Sequence, residues 1–162
     1  MHAIAWLQDS AFSTWTRESS WALFAFLIVH TMGMGFLIGT AMVINLRVLG
    51  FASTAPLSKF ARFAPVMVIG LIVAVTSGLL LVTAYPAKAL TNPIFYIKLT
   101  LVITALIITR ALVRRLLSDP AHDLGRAPAW ARRLAIAGLV IWPLALAAGK
   151  FLPYTHRMLL VY

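Results

Sequence analysis

Four long apolar runs organise the chain. They extend from about Trp21 to about Ile44, from about Ala64 to Tyr85, from about Pro93 to Leu112 and from about Leu134 to Leu152. A bilayer core about 30 Å thick needs about 20 apolar residues in a helix, and each run meets that length. Helix breakers separate them: "STAP" at 53–56, "YPAK" at 85–88, "SDPAHDLGRAP" at 118–128 and Pro153. No longer repeat is visible and nothing is low-complexity. Ahead of the first run, "MHAIAWLQDSAFSTWTRES" lacks a basic start, and Gln8, Asp9 and Ser10 interrupt its apolar stretch, so it does not read as a signal peptide. It reads as a short amphipathic arm with Trp6 and Trp15 at the membrane interface. The pattern predicts an all-α fold: a four-transmembrane-helix bundle, one integral membrane domain over residues 1–162, preceded by a short N-terminal interfacial arm.

Composition strengthens this reading. Hydrophobic residues make up 62% of the chain and charged residues 11%, with a mean hydropathy of +0.93, whereas soluble chains run about 45–50% apolar and about 25% charged. The chain has no cysteine, which excludes disulfides, thiolate metal sites, a thiol nucleophile and thioether haem attachment.

The net charge of +10 would suggest nucleic acid in a soluble protein, but here the basic residues cluster at the ends of apolar runs. That placement reads as membrane topology and contact with anionic headgroups, with no nucleic-acid partner. Nine cations (Arg47, Lys59, Arg62, Arg110, Arg114, Arg115, Arg126, Arg132 and Arg133) face one side, against Arg17, Lys88, Lys98, Lys150 and Arg157 on the other. The positive-inside rule puts the nine in the cytoplasm, giving an N-out, C-out bundle in a bacterial inner membrane with both termini periplasmic. Trp6, Trp15, Trp21, Tyr85, Tyr96 and Tyr154 then form an outer aromatic belt, and Trp130 marks the inner face.

Chemistry inside the spans is sparse. The four acids, Asp9, Glu18, Asp119 and Asp123, all lie in flanks or loops. Cation and proton transporters usually place carboxylates at the midplane, so this absence argues against a proton pump or cation antiporter. It also removes paired carboxylates for acid–base hydrolysis and the acid of a Ser-His-Asp arrangement. Neither HExxH nor a phosphate-binding glycine loop occurs.

His30 lies nine residues into the first run, about 14 Å at 1.5 Å per residue. A similar depth on the other helices reaches Thr76, Ser77 and Gly78, then Thr100 and Thr104, then Trp142 and Pro143. Lys98 and Lys150 lie nearer the outer surface. Two readings of His30 fit. It is a neutral imidazole bonded across the bundle to Ser77, Thr76 or Thr104, or it is an axial ligand of haem b. In the second reading Gly33, one turn along, makes room for the macrocycle. Bis-imidazole ligation lacks a partner, because His2 and His156 lie outside the spans and His122 lies in the cytoplasmic loop. Met32 and Met34 share a helix with His30, so a haem here is five-coordinate or uses His156, Lys98 or a partner chain.

Lys98 and Lys150 either snorkel to headgroups or form a cationic pocket with His30 for haem propionates, a quinone oxygen or an anion. Pro143 beside Trp142 is expected to kink the fourth helix. Met32, Met34, Met42 and Met67 are not paired at one depth and read as gap-filling core.

The segments "HTMGMGFLIGTAMVINLRVLGF", "FARFAPVMVIG", "TSGLLL", "TNPIFYIKL" and "AAGKFLPY" together resemble an uncharacterised family of small bacterial four-helix integral membrane proteins. In that family the first helix reads roughly HxxGxGxLxGxxxxxDLRxLG, the third opens NPxFYxK and the fourth ends AGR or AGK. The resemblance covers about residues 20 to 154. It implies the four-span fold and singles out His30, Arg47, Asn92, Lys98 and Lys150; Asn45 stands where the family usually has Asp. More distantly, the first helix resembles the His-bearing first helix of copper-resistance D-type proteins and of the membrane protoporphyrinogen oxidase linked to haem b.

The resulting expectation is a haem b-linked electron-transfer or quinone-interacting component. Its site is expected in the outer half of the bundle, with His30 on the haem iron and Gly33, Ser77, Lys98 and Lys150 around the cofactor. The rival expectations are a cofactor-free accessory subunit of a larger membrane complex, or a small-solute carrier using the same pocket. The accessory subunit would pack through Gly35, Gly39, Gly70, Gly78, Gly138 and Gly149 in a homo- or hetero-oligomer.

Overall fold

The computed structural model describes residues 2–117 and 127–159, with side chains over 4–116 and 127–155. Two short helices, α1 (His2–Gln8) and α2 (Ala11–Glu18), precede α3 (Ala22–Val48). A 3-10 turn over Leu57–Arg62 leads into α4 (Phe63–Ala84), followed by the short α5 (Pro86–Leu90). Helix α6 (Pro93–Leu112) ends in a π-helical turn over Val113–Leu117, and α7 covers Ala129–Leu159. Four helices are long and apolar enough to cross a membrane, and the chain is a multi-pass membrane protein. Large apolar side chains such as Ile69, Leu79 and Ile107 point away from the bundle, each about 60% exposed, as lipid-facing residues do.

The arm and α5 lie at one end with the close of α7, called here the terminal end. Arg47, Lys59, Arg62, Arg110, Arg114, Arg115, Arg132 and Arg133 gather toward the other, the basic end. There Arg47 is almost fully buried. Its guanidinium spans the turn after α3, donating to the carbonyls of Ala55 (2.8 Å) and Ser53 (3.3 Å). That turn contains two left-handed residues, Gly50 (φ 107°) and Ala52 (φ 55°).

The structure differs from the sequence reading at the arm and at Pro153. The arm folds as two helices because Ser10 caps α2, its hydroxyl accepting from the Ser13 amide. Ser13 and Arg17 then bond the carbonyl of Ala84, at the end of α4, which docks the arm on the bundle. Pro153, read as a breaker, lies inside α7 together with Pro143. An unwound backbone is costly in a bilayer, so the helix continues through both prolines.

Two pairs of helices pack closely: α3 with α4, and α6 with α7. The first pair meets backbone to backbone. A Cβ on Gly33 would lie 2.7 Å from the Ala74 amide nitrogen, and one on Gly70 would lie 2.8 Å from that of Leu37. Contact of α3 with α7 joins the two pairs, whereas α4 and α6 stand apart.

Core residues form two layers. Ile44, Val48, Leu57, Leu112 and Leu116 with Ala131 and Ala135 fill the basic end. Met34, Leu37, Ala41, Ala74, Ala105 and Trp142 fill the middle. Nearer the terminal end the space between α4 and α6 is a cleft.

Candidate functional site

Helix α3 places His30 toward α4. The imidazole Nδ1 lies 2.9 Å from the Ala74 carbonyl oxygen and 3.2 Å from Ser77 Oγ. A carbonyl only accepts, so the proton belongs on Nδ1. Ser77 directs its own proton to the Val73 carbonyl at 2.5 Å, which leaves its oxygen free to accept from the same Nδ1–H. The carbonyl of residue 74 is available because Gly33 lets α3 approach α4 so closely. Gly78 makes room for the ring, since a Cβ there would lie 3.1 Å from His30 Cε1.

With Nδ1 protonated, Nε2 carries the lone pair. Lys98 Nζ on α6 lies 3.4 Å from it and donates. Gly149 on α7 flanks the lysine stem; a Cβ there would lie 3.2 Å from Lys98 Cε. Lys98 is held by the start of α6, where Asn92 caps the helix by accepting from the Ile94 amide at 3.0 Å. The Asn92 amide also donates to Thr155 Oγ1 at 3.0 Å and to the Leu152 carbonyl, tying α6 to α7. Asn92 is therefore a structural clamp beneath the site.

His30 and Lys98 both line the cleft between α4 and α6, which has a volume of about 450 Å³. Its walls are otherwise mostly apolar, including Leu71, Val75 and Leu79 from α4 and Phe95, Leu99 and Val102 from α6. Tyr85 and Lys88 stand at its terminal end. The volume falls within the roughly 300–1,000 Å³ of small-molecule and cofactor sites. A second recess of about 80 Å³ borders His30 and Lys98 from the α3–α7 side and is lined by Thr31, Ala145 and Lys150.

Of the residues expected at the site, the structure brings together His30, Ser77 and Lys98. Lys150 is exposed and borders only the small recess. Gly33 lies at the α3–α4 contact, with the backbone of α4 in the space beside it. The expected helix-contact glycines divide similarly. Gly70, Gly78, Gly138 and Gly149 pack within the chain, whereas Gly35 and Gly39 face open space.

Thr100 and Thr104 turn their hydroxyls to their own helix and are exposed, as is Thr76. Trp142 belongs to the middle core layer, fully buried, its indole N–H donating to Thr109 Oγ1 at 3.4 Å. His122 and the side chains of His2 and His156 lie outside what the structure describes.

The Ala74 carbonyl and the bracing by Gly78 and Gly149 were missed, and "TSGLLL" and "AAGK" held the signal as glycines at the depth of a polar side chain. Among the described residues no group of three His, Cys, Asp or Glu side chains could hold a metal ion. Comparison of the chain with family models, curated proteins and solved structures gives no match.

Proposed function

We propose that the chain is a redox component of a bacterial cytoplasmic membrane, its terminal end on the outer side, and that the cleft takes the head group of a lipid-soluble quinone. The observation that carries this reading is the His30–Lys98 pair, 3.4 Å apart, facing an apolar cleft between two separated helices. The pair offers donors and one acceptor. A Lys98 Nζ–H suits a quinone carbonyl, and the Nε2 lone pair, which accepts from Lys98, would serve the hydroxyl of the reduced quinol once the amine turns away. The Ala74 carbonyl and Ser77 hold the ring so that its acceptor faces the cleft. The gap between α4 and α6 leaves a path for an isoprenoid tail into the bilayer.

Haem b on His30 is the second reading. A histidine whose Nδ1–H is bonded to a carbonyl presents Nε2 in the manner usual for a metal ligand. Lys98 occupies that direction and would have to turn toward a propionate. The facing walls described from α4 and α6 supply no second imidazole, so the iron would be five-coordinate or would draw on His156, Lys98 or a partner chain. A cofactor-free accessory role draws on Gly35 and Gly39, which leave part of α3 open to a neighbouring chain.

Purified protein from membranes rich in quinone and haem separates these readings. Quinone extracted in proportion to protein, and lost in Lys98→Met, supports the first. A b-type α-band in the reduced-minus-oxidised spectrum that His30→Ala abolishes supports the second. Neither cofactor, with a stoichiometric partner chain instead, would sink both and leave the accessory role.

A further inference from the structure

The charge around Lys98 is unbalanced. No Asp or Glu lies between Glu18 and Asp119 or beyond Asp123, so no membrane-spanning helix carries an acid. Lys98 has three potential donors, and its one described partner is the neutral Nε2 of His30. Lys88 stands further along the same cleft with its Nζ 5.9 Å from the centroid of the Tyr85 ring. Everything else around the cleft is neutral and mostly apolar. An ammonium in such surroundings is costly unless an anion joins it. The described residues that line the cleft supply none.

We infer that the cleft binds a long-chain carboxylate from the bilayer, a free fatty acid, with its head on Lys98 and its tail between α4 and α6. This goes beyond the quinone reading and shares the cleft and Lys98 with it. Three features select this occupant. The cleft faces lipid between two parted helices, which favours a ligand dissolved in the membrane over a small aqueous anion. From the level of Gly78, beside Lys98, it runs about 10 Å further along α4 to Leu71 at 1.5 Å per residue, which takes the first part of an acyl chain and leaves the rest to the bilayer.

Lys98 also lies level with Gly78 and His30, roughly 10 Å along α4 from Tyr85. That is too deep for a phospholipid phosphate anchored at the interface, yet within reach of a carboxyl group that travels as the neutral acid. Transfer of the carboxyl proton to a neutral Nζ produces the ammonium–carboxylate pair in place. If Nζ is already charged, the anion completes the same pair. One Nζ proton continues to serve Nε2 and the others serve the carboxylate.

The test measures binding of palmitate and of hexadecanol to the full-length protein in nanodiscs. Palmitate is expected to bind about tenfold or more tightly than the alcohol, the scale of a charge-assisted hydrogen bond over a neutral one. Lys98→Met should remove that preference, Lys98→Arg should keep it, and Lys59→Ala at the basic end should change nothing. Val102→Trp fills the cleft while leaving Lys98 in place, and should weaken both ligands. Equal affinity for palmitate and hexadecanol overturns the inference, as does a preference that survives Lys98→Met. Quinone bound without a palmitate preference leaves the redox reading standing alone. A Lys98-dependent palmitate preference without quinone does the reverse.

Discussion

His30 is fixed by hydrogen bonds that counting along the sequence could locate only in part. Ser77 is legible as a partner because it lies at the same depth on the next helix. The Ala74 carbonyl is not, since a helix normally keeps its carbonyls to itself and exposes one to a neighbour only where two backbones come close. Gly33 creates that approach, so Gly33→Ala should force α3 from α4 and cost about 1–3 kcal/mol, as overpacking does. Gly35→Ala, with open space around it, should be close to neutral. Thermal unfolding of both variants in the same detergent checks the contrast, and equal losses would refute it. Asn45 is a second residue whose role the structure sharpens. Its side chain is fully buried against Gly138, and neither amide atom has a hydrogen-bond partner among the described residues. An unsatisfied buried group costs about 1–3 kcal/mol, so Asn45→Leu, apolar and of the same branched shape, should raise the melting temperature. A clear drop would show that the amide has a partner.

Among the elements, the four spans were readable because lipid leaves their apolar residues unbroken on every face. The boundaries of α6 agree with the apolar run from 93 to 112. What the pattern did not convey is how the elements pair. All four spans are apolar on every side, so periodicity points no face at a particular neighbour. The close α3–α4 crossing depends on small residues, Gly33, Gly70 and Ala74, whose partners become visible only in three dimensions. The arm and α5 escaped notice as helices because they are short and rely on caps and docking. Asn92→Ala removes the cap of α6 and its bonds to α7 together, and should destabilise the bundle by about 0.5–2 kcal/mol. Arg17→Ala should act locally. Its guanidinium bridges Ser13, Gln8 and the end of α4, so hydrogen exchange should speed up in α1 and α2 while α6 and α7 keep their protection.

For the molecule as a whole, topology and the cleft can be tested together, because a chain without cysteine accepts single-cysteine probes cleanly. With the terminal end outside, Ala87→Cys should react with an impermeant maleimide added to intact cells, and Ser53→Cys should react only after lysis. The reverse pattern would invert the proposed orientation. Val75→Cys paired with Val102→Cys places thiols on facing walls of the cleft. A bifunctional cross-linker joining them should block quinone and palmitate binding alike while leaving the melting temperature intact or raised. Retained binding after complete cross-linking would place the ligand elsewhere.

The small recess behind His30 and Lys98 gives this arrangement a further consequence. The same two side chains border a wide opening toward lipid on one side and, on the other, a space of about 80 Å³ beside the exposed Lys150. The larger opening suits oily molecules, and the smaller has room for a few waters. The imidazole and the amine thus form a party wall between a broad opening and a narrow one. On the proposed reading, a membrane-dissolved guest would meet that wall from the broad side and leave the narrow side unobstructed behind it.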